Sequence, residues 1–345
     1  MRFKYILLMT WLGCMILTAC QDNEYAIPAA GTELQNDCIK RTIGPNVVGL
    51  TIDFSYAMAL PRDLGKLTSA SVEATIAGAT GTSFDNKSYF TDPSQTGADV
   101  GIVVGTPSVT TGTKTNLTFS RDTCASTLRY TYVIPEEARG KTVSFTFSAQ
   151  ASNGQAVSYS MGPYTIAQMD MVTNIMARFP IGIKAFYISI SDMKVYTEAE
   201  AAANPAKIDL VYLYRAITGV TFAHALVSPS NTQYLPGVTL PSGVNNRTPF
   251  VEVIELRDRH LANLQYGIYV DDIDLQTKTF VNAPDYGINI KNESGAWVET
   301  ADGQYHAYIY VNSVQNPIRD AGNPNDPEKN HDGKMVFGIK RLKVK

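Results

Sequence analysis

Apolar side chains recur at every second residue along much of this chain, and that period dictates strands. The clearest run is Leu128, Tyr130, Tyr132 and Ile134, followed by a corner over residues 135–140 and then by Val143, Phe145, Phe147 and Ala149. Alternation of this kind buries one face of a strand, whereas a helix needs apolar residues three and four apart. Val48, Leu50, Ile52, Phe54 and Tyr56 repeat it. So do Val72, Ala74 and Ile76, and later Val100, Ile102 and Val104, with turn residues between the runs. Charged residues are only 18% of the 345, while tyrosine (19) and glycine (25) are plentiful, a mix suited to strands and turns. The pattern predicts an all-β protein with minor helix, whose first unit, residues 37–166, is an antiparallel sandwich.

Residues 167–178 mix polar residues with Met169, Met171 and Met176, and they read as a domain junction in which methionine fills irregular gaps. A second antiparallel sandwich is expected over residues 178–345. Within it, Thr197 followed three residues later by Glu200 predicts a capped helix through Ala203, stopped by Asn204 and Pro205. Residues 207–214 are apolar on both faces apart from Asp209, as in a central strand covered on both sides. Val251, Ile254, Leu261 and Leu264 are spaced to line one helix face. Residues 266–275 read as a strand ending in Asp271, Asp272 and Asp274, and residues 305–311 as a strand with His306, Tyr308 and Tyr310 on one face.

The amino terminus carries an address. Lys4 precedes an apolar run over residues 5–17, then Leu17, Thr18, Ala19 and Cys20. That run is too short for a hydrocarbon core, which needs about 20 apolar residues. The arrangement resembles the signal of bacterial lipoproteins. The resemblance implies removal of residues 1–19, lipid attached to Cys20, and a tether over residues 20–36. Lipid would then be the membrane contact, with stable anchoring from more than one acyl chain. Asp22 and Glu24 resemble the signal that sends Bacteroidetes lipoproteins to the outer face of the outer membrane.

Of the four cysteines, Cys14 leaves with the signal and Cys20 takes lipid, so Cys38 and Cys124 remain. In an oxidising compartment they can form a disulfide or stay as two thiols, and both readings stand at this point. A net charge of −3 without a basic cluster excludes a nucleic-acid binder.

No nucleophile elbow, zinc-protease helix, Cys-x-x-Cys pair or phosphate loop is present. Glycoside hydrolysis needs only two facing carboxylates, for which Glu252, Glu255, Asp258, Asp271, Asp272 and Asp274 are available. Asp271, Asp272 and Asp274 also offer hard oxygens suited to calcium, as does the acidic loop from Asp320 to Asp332. Neither matches a calcium-loop pattern, since the twelfth position counted from Glu328 is Ile339. Apart from the lipid, no cofactor is expected. His224, His260, His306 and His331 are scattered. A ligand platform would need an exposed aromatic, and Trp297 with His306, Tyr308 and Tyr310 is the candidate, set against the alternative that these rings fill a core.

Three stretches carry a family resemblance. The strand, corner and Asn153-Gly154 turn of residues 128–154 resemble immunoglobulin-like domains that open Bacteroidetes surface lipoproteins. Residues 196–229 and the closing strand 332–344 resemble modules of an uncharacterised family of such lipoproteins. The resemblance implies two tandem β-sandwiches, the first immunoglobulin-like, in a non-enzymatic outer-membrane protein that binds an extracellular glycan, lipid or protein. An alternative resemblance is to fimbrillins, structural subunits cut after an arginine near the first strand, for which Arg41 is the candidate. A hydrolase is the third reading.

Overall fold

The computed structural model describes residues 31–94, 97–179, 185–262, 266–318, 322 and 332–345. Cys20, the signal and most of the tether lie outside the described residues, as do Leu264, His331 and most of the acidic loop after Asp320.

Ten strands build the first unit: β1 (Gln35–Lys40), β2 (Thr51–Ala59), β3 (Leu67–Ala74), β4 (Ser83–Asp92), β5 (Ala98–Val103), β6 (Val109–Thr111), β7 (Lys114–Thr118), β8 (Ala125–Val133), β9 (Thr142–Ala151) and β10 (Ala156–Thr165). They form two antiparallel sheets of order β1-β2-β8-β4-β5 and β10-β9-β3-β7-β6. Strands β1, β2 and β8 facing β10, β9 and β3 reproduce the A-B-E against G-F-C arrangement of immunoglobulin domains. The alternation read from sequence is the burial pattern observed: every second residue of β2, from Ile52 to Met58, is buried, as is every second residue of β8 and β9. The inward rings interlock, with Phe54 centred 4.9 Å from Phe145 and 5.2 Å from Phe147, separations at which tilted aromatic pairs add to area burial.

The cysteines are not bridged; both are free thiols. Cys38 on β1 pairs with Tyr56 on β2, whereas Cys124 precedes β8, and its carbonyl accepts from the N–H of Leu60, four residues past Tyr56 and just beyond the end of β2. Two strand spacings across and four residues along place the two backbones far beyond the roughly 7 Å limit of a disulfide. Burial pushes the Cys38 thiol up to about 12, which keeps it protonated and inert. Thiol titration of the unfolded, unreduced protein is therefore expected to find both Cys38 and Cys124 reactive, with Cys38 silent before unfolding.

The second unit holds β11 (Asp170–Phe179), β12 (Phe186–Ser189), β13 (Lys194–Tyr196), β14 (Leu210–Ile217), β15 (Val220–Val227), β16 (Phe250–Ile254), β17 (Tyr286–Ile290), β18 (Ser294–Glu299), β19 (Tyr305–Gln315) and β20 (Gly333–Lys343). Its sheets run β11-β20-β19-β18-β16 and β13-β12-β14-β15-β17. Short helices α1 (Glu198–Ala203), α2 (Arg259–Ala262) and α3 (Asp272–Thr277) lie between strands. The Thr197 capping box is present, with both reciprocal hydrogen bonds made. Leu210, Val211, Tyr212 and Leu213 are all buried, because β14 is the middle strand and both faces of its sheet are covered.

Three readings need correction. Most of residues 167–178, read as a junction, belong to strand β11 on the edge of a sheet; Met169 just before it is buried, Met171 half-buried and Met176 exposed. Residues 250–254 are strand β16 rather than helix; Val251 and Val253 pack half-buried on the face opposite Phe250, while Glu252 and Ile254 are exposed. The strand expected over residues 266–275 is a short helix from Asp272 on, because Asp271 accepts from the Ile273 and Asp274 N–H groups and Asp274 reciprocates.

Each sheet of the second unit is covered on both faces, so the unit is layered. The two sheets enclose one core, with Ile188, Tyr212, Phe250, Ile309 and Phe337 in it. Helix α1 and the segment of residues 228–248 cover the outer face of the β12-β14-β15 sheet. Helices α2 and α3 cover the outer face of the β18-β19-β20 sheet, and there Val47, Leu50, Ala167 and Met169 from the end of the first unit join the same cluster.

Candidate functional site

The side chains singled out as a ligand platform meet in that last cluster. Register sets Trp297, Tyr308 and Lys340 side by side across β18, β19 and β20, with Val251 and Met171 flanking them on β16 and β11. Tyr308 and Tyr310 are 0% and 1% exposed and Trp297 8%. Two glycines make room. A Cβ on Gly295 would lie 2.3 Å from the Tyr308 hydroxyl oxygen, and one on Gly338 2.9 Å from Leu261. The Tyr308 hydroxyl donates to the Leu256 carbonyl, and burial raises its pKa. Lys278 Nζ stands 5.3 Å above the Trp297 ring, closing its edge. His306 is fixed between the Leu275 carbonyl, 2.7 Å from Nδ1, and Glu299, 3.2 Å from Nε2, beside the Phe280 ring. The four residues are brought together, but as a covered floor and not an open platform.

On that floor sits an ion pair with both side chains at 0% exposure: Lys340 Nζ lies 2.7 Å from Asp258 Oδ2. Lys340 also donates to the Val270 carbonyl at 2.8 Å. Asp258 accepts from Val270 N–H at 2.6 Å through Oδ2, and from His260 and Leu261 N–H through Oδ1. The carboxylate therefore caps α2 and pins the following segment with every lone pair in use, the condition under which a buried ion is tolerated. Burial lowers the Lys340 pKa while Asp258 opposes the shift. Burial first, and Lys340 second, push His260 down to about 4, so it is neutral at physiological pH.

Contacts from the first unit complete the seam. Asp272 accepts from Gln168 N–H at 2.6 Å and Met169 N–H at 2.9 Å, capping the strand that links the units. Asp170 is held between Arg139 of the first unit and Arg341 of β20, each at 2.9 Å. Gly44 lies against Tyr269 so closely that a Cβ would come within 2.5 Å of the ring, at a φ of +86°.

Four of the six carboxylates proposed for catalysis or calcium are thus occupied elsewhere. Asp271 and Asp274 form a capping box, Asp272 holds the linker, Asp258 neutralises Lys340, and Glu252 and Glu255 are exposed. Among the described residues no three His, Cys, Asp or Glu side chains converge as a metal site would need. Surface concavities are open, one of about 690 Å³ between residues 76–80 and 135–137 and one of about 300 Å³ on the outer face of β1, β2 and β8. No helix among the described residues is long and apolar enough to cross a membrane.

Among the described residues, one buried acid stands without a cation. Asp209 is 3% exposed and accepts from Ile190 N–H at 2.7 Å; burial pushes its carboxyl up to about 7, against the pull of that hydrogen bond. A raised carboxyl pKa in the folded state means stability that is complete below about pH 4 and is lost as pH climbs through 7. Urea unfolding is expected to show on the order of 2 kcal/mol lost between pH 5 and pH 8 from this group. Asp209→Asn should flatten that slope.

Two β-sandwiches joined through a shared apolar cluster define a two-domain, all-β protein. The chain belongs to the DUF4466 family. The model of that domain of unknown function matches residues 31–166, and a second domain of unknown function, DUF8576, matches residues 167–322. The crystal structure of a DUF4466 family protein from Parabacteroides merdae is 43% identical, with a TM-score of 0.79 over 90% of this chain and 99% of that one. The major pilin subunit BcpA of Bacillus cereus aligns at 10% identity and TM-score 0.27, over 47% of this chain and 50% of that one. A C-terminal fragment of the major pilin GBS80 of Streptococcus agalactiae aligns at 14% and 0.28, over 55% and 74%. Likenesses of that size carry no argument. No curated protein matches the chain.

Proposed function

We propose that this protein is a lipid-anchored surface protein whose first sandwich is a spacer and whose second is a head that binds an extracellular ligand without catalysis. The observation that carries the reading is where the chain enters. Gln35 pairs with Ala59 and Lys40 with Phe54, so β1 starts at the end of β2 remote from Val47 and Leu50, which lie in the seam. Leu34 N–H is held there by Gln155, at the start of the strand that runs back to the seam. A nine-residue strand spans about 30 Å. A tether from Cys20 therefore attaches at the pole opposite the second sandwich and holds that sandwich outermost. Antibody raised against residues 185–345 should stain intact cells, and Cys20→Ala should release the protein from the membrane fraction. Staining only after permeabilisation would contradict the surface reading.

A specific observation also favours the fimbrillin-like alternative. Arg41 is exposed directly after edge strand β1, which contributes Cys38 to the core. A cut after Arg41 frees β1 to leave and uncovers the edge of β2, a template for a strand from another subunit. Under this alternative, an arginine-specific protease converts the purified protein into polymers; a product that stays monomeric rejects it.

A further inference from the structure

The layer of the second sandwich turned away from the seam carries the aromatic surface that the seam lacks. Tyr234 ends a short exposed turn, Thr232–Tyr234, in which no residue is buried. Its ring stacks on Tyr286 of β17, with centroids 3.7 Å apart and planes 12° from parallel. Tyr286 packs in turn on the covering layer over β14 and β15, so Tyr234 is backed by a rigid ring rather than hung from a loose loop. Tyr234 is itself half-buried on the same covering layer, with part of the residue left at the surface.

Polar groups of both kinds border the pair. Asn231 Nδ2 donates to Asp285 Oδ1 at 2.6 Å, and Arg247 Nε stands 3.7 Å from Asp285 Oδ2 with 62% of its side chain exposed. Arg215 Nε donates to the Pro236 carbonyl and fastens the segment to the β14–β15 hairpin. A supported aromatic face with a guanidinium, a carboxylate and an amide at its rim matches a pyranose ring. The apolar C–H face of such a sugar lies on an aromatic, and its hydroxyls need both donors and acceptors. A lipid tail would use neither the rim charges nor the amide.

From this juxtaposition we infer that Tyr234, backed by Tyr286 and rimmed by Asn231, Arg247 and Asp285, is a binding platform for a pyranose unit of an extracellular polysaccharide. The inference rests on the reading of the second sandwich as a binding head, and it names the ligand class and the place. It also puts the platform two sheet layers away from the seam, on the side remote from the tether.

Affinity electrophoresis of the mature chain lacking lipid, through gels containing dextran, xylan, mannan or arabinogalactan, separates this inference from the reading beneath it. The expected result is retardation by at least one polysaccharide, weakened about tenfold or more by Tyr234→Ala and kept by Tyr234→Phe, with both variants folded by circular dichroism. Retardation that Tyr234→Ala leaves intact overturns the platform and spares the binding head. Retardation of no variant by any of the four overturns the glycan assignment itself, and staining of permeabilised cells alone would separately reject the surface reading.

Discussion

Replacing Lys340 with methionine is expected to cost the folded protein about 3–5 kcal/mol, read as a fall in the urea midpoint at unchanged slope. Methionine fills nearly the same volume, so the loss is not a cavity. It is the cost of leaving the Asp258 carboxylate buried with three N–H donors but no cation. Because both side chains are fully buried, salt will not screen the pair, and 1 M NaCl should leave the difference between wild type and variant unchanged. An exposed pair such as Lys66–Asp122, with 54% and 79% of the side chains accessible, should contribute nothing measurable by comparison.

Tyr308→Ala is expected to cost a similar amount, about 3–5 kcal/mol, through the lost ring and the cavity it leaves. The residue separates two accounts of the aromatic row on β18 and β19. A ligand platform would lose binding on truncation while stability held. A seam floor loses stability, because the Tyr308 ring lies under Trp297 at a centroid distance of 4.8 Å and its hydroxyl holds Leu256. Gly295 explains why the tyrosine fits: any side chain there collides with the hydroxyl.

Much of the fold was legible in the sequence, for a physical reason. In β2, β8 and β9 each strand has one wet face and one dry face, so Phe54, Tyr130 and Phe147 declare their orientation by alternation alone. The unbroken apolar run at residues 210–213 likewise announced a strand covered on both sides. What misled was local ambiguity. Val251 and Ile254 fit a helical spacing as well as Val251 and Val253 fit a strand, and five residues are too few to decide. Asp271 and Asp274 carry a capping spacing of the same kind as Thr197 and Glu200, but the alternating Ile268 and Val270 before them suggested a continuing strand.

The site was less legible. That His306, Tyr308 and Tyr310 share a face follows from their spacing, but whether that face is wet does not. Its cover comes from Leu261, Val270 and Leu275 and from Val47 and Leu50, some 250 residues earlier in the chain. Tyr234 and Tyr286 lie in segments without strong periodicity, and nothing local says that their rings stack. Their one signal in sequence is a tyrosine in a turn rich in Ser, Pro, Asn and Gly.

The central claim is that the seam makes one unit of the two sandwiches, so that the second is held at a fixed distance from the tether. Differential scanning calorimetry of the mature chain tests it most directly. The account predicts a single transition whose calorimetric and van't Hoff enthalpies agree. Two resolved transitions, one surviving in Lys340→Met at its wild-type temperature, would contradict it.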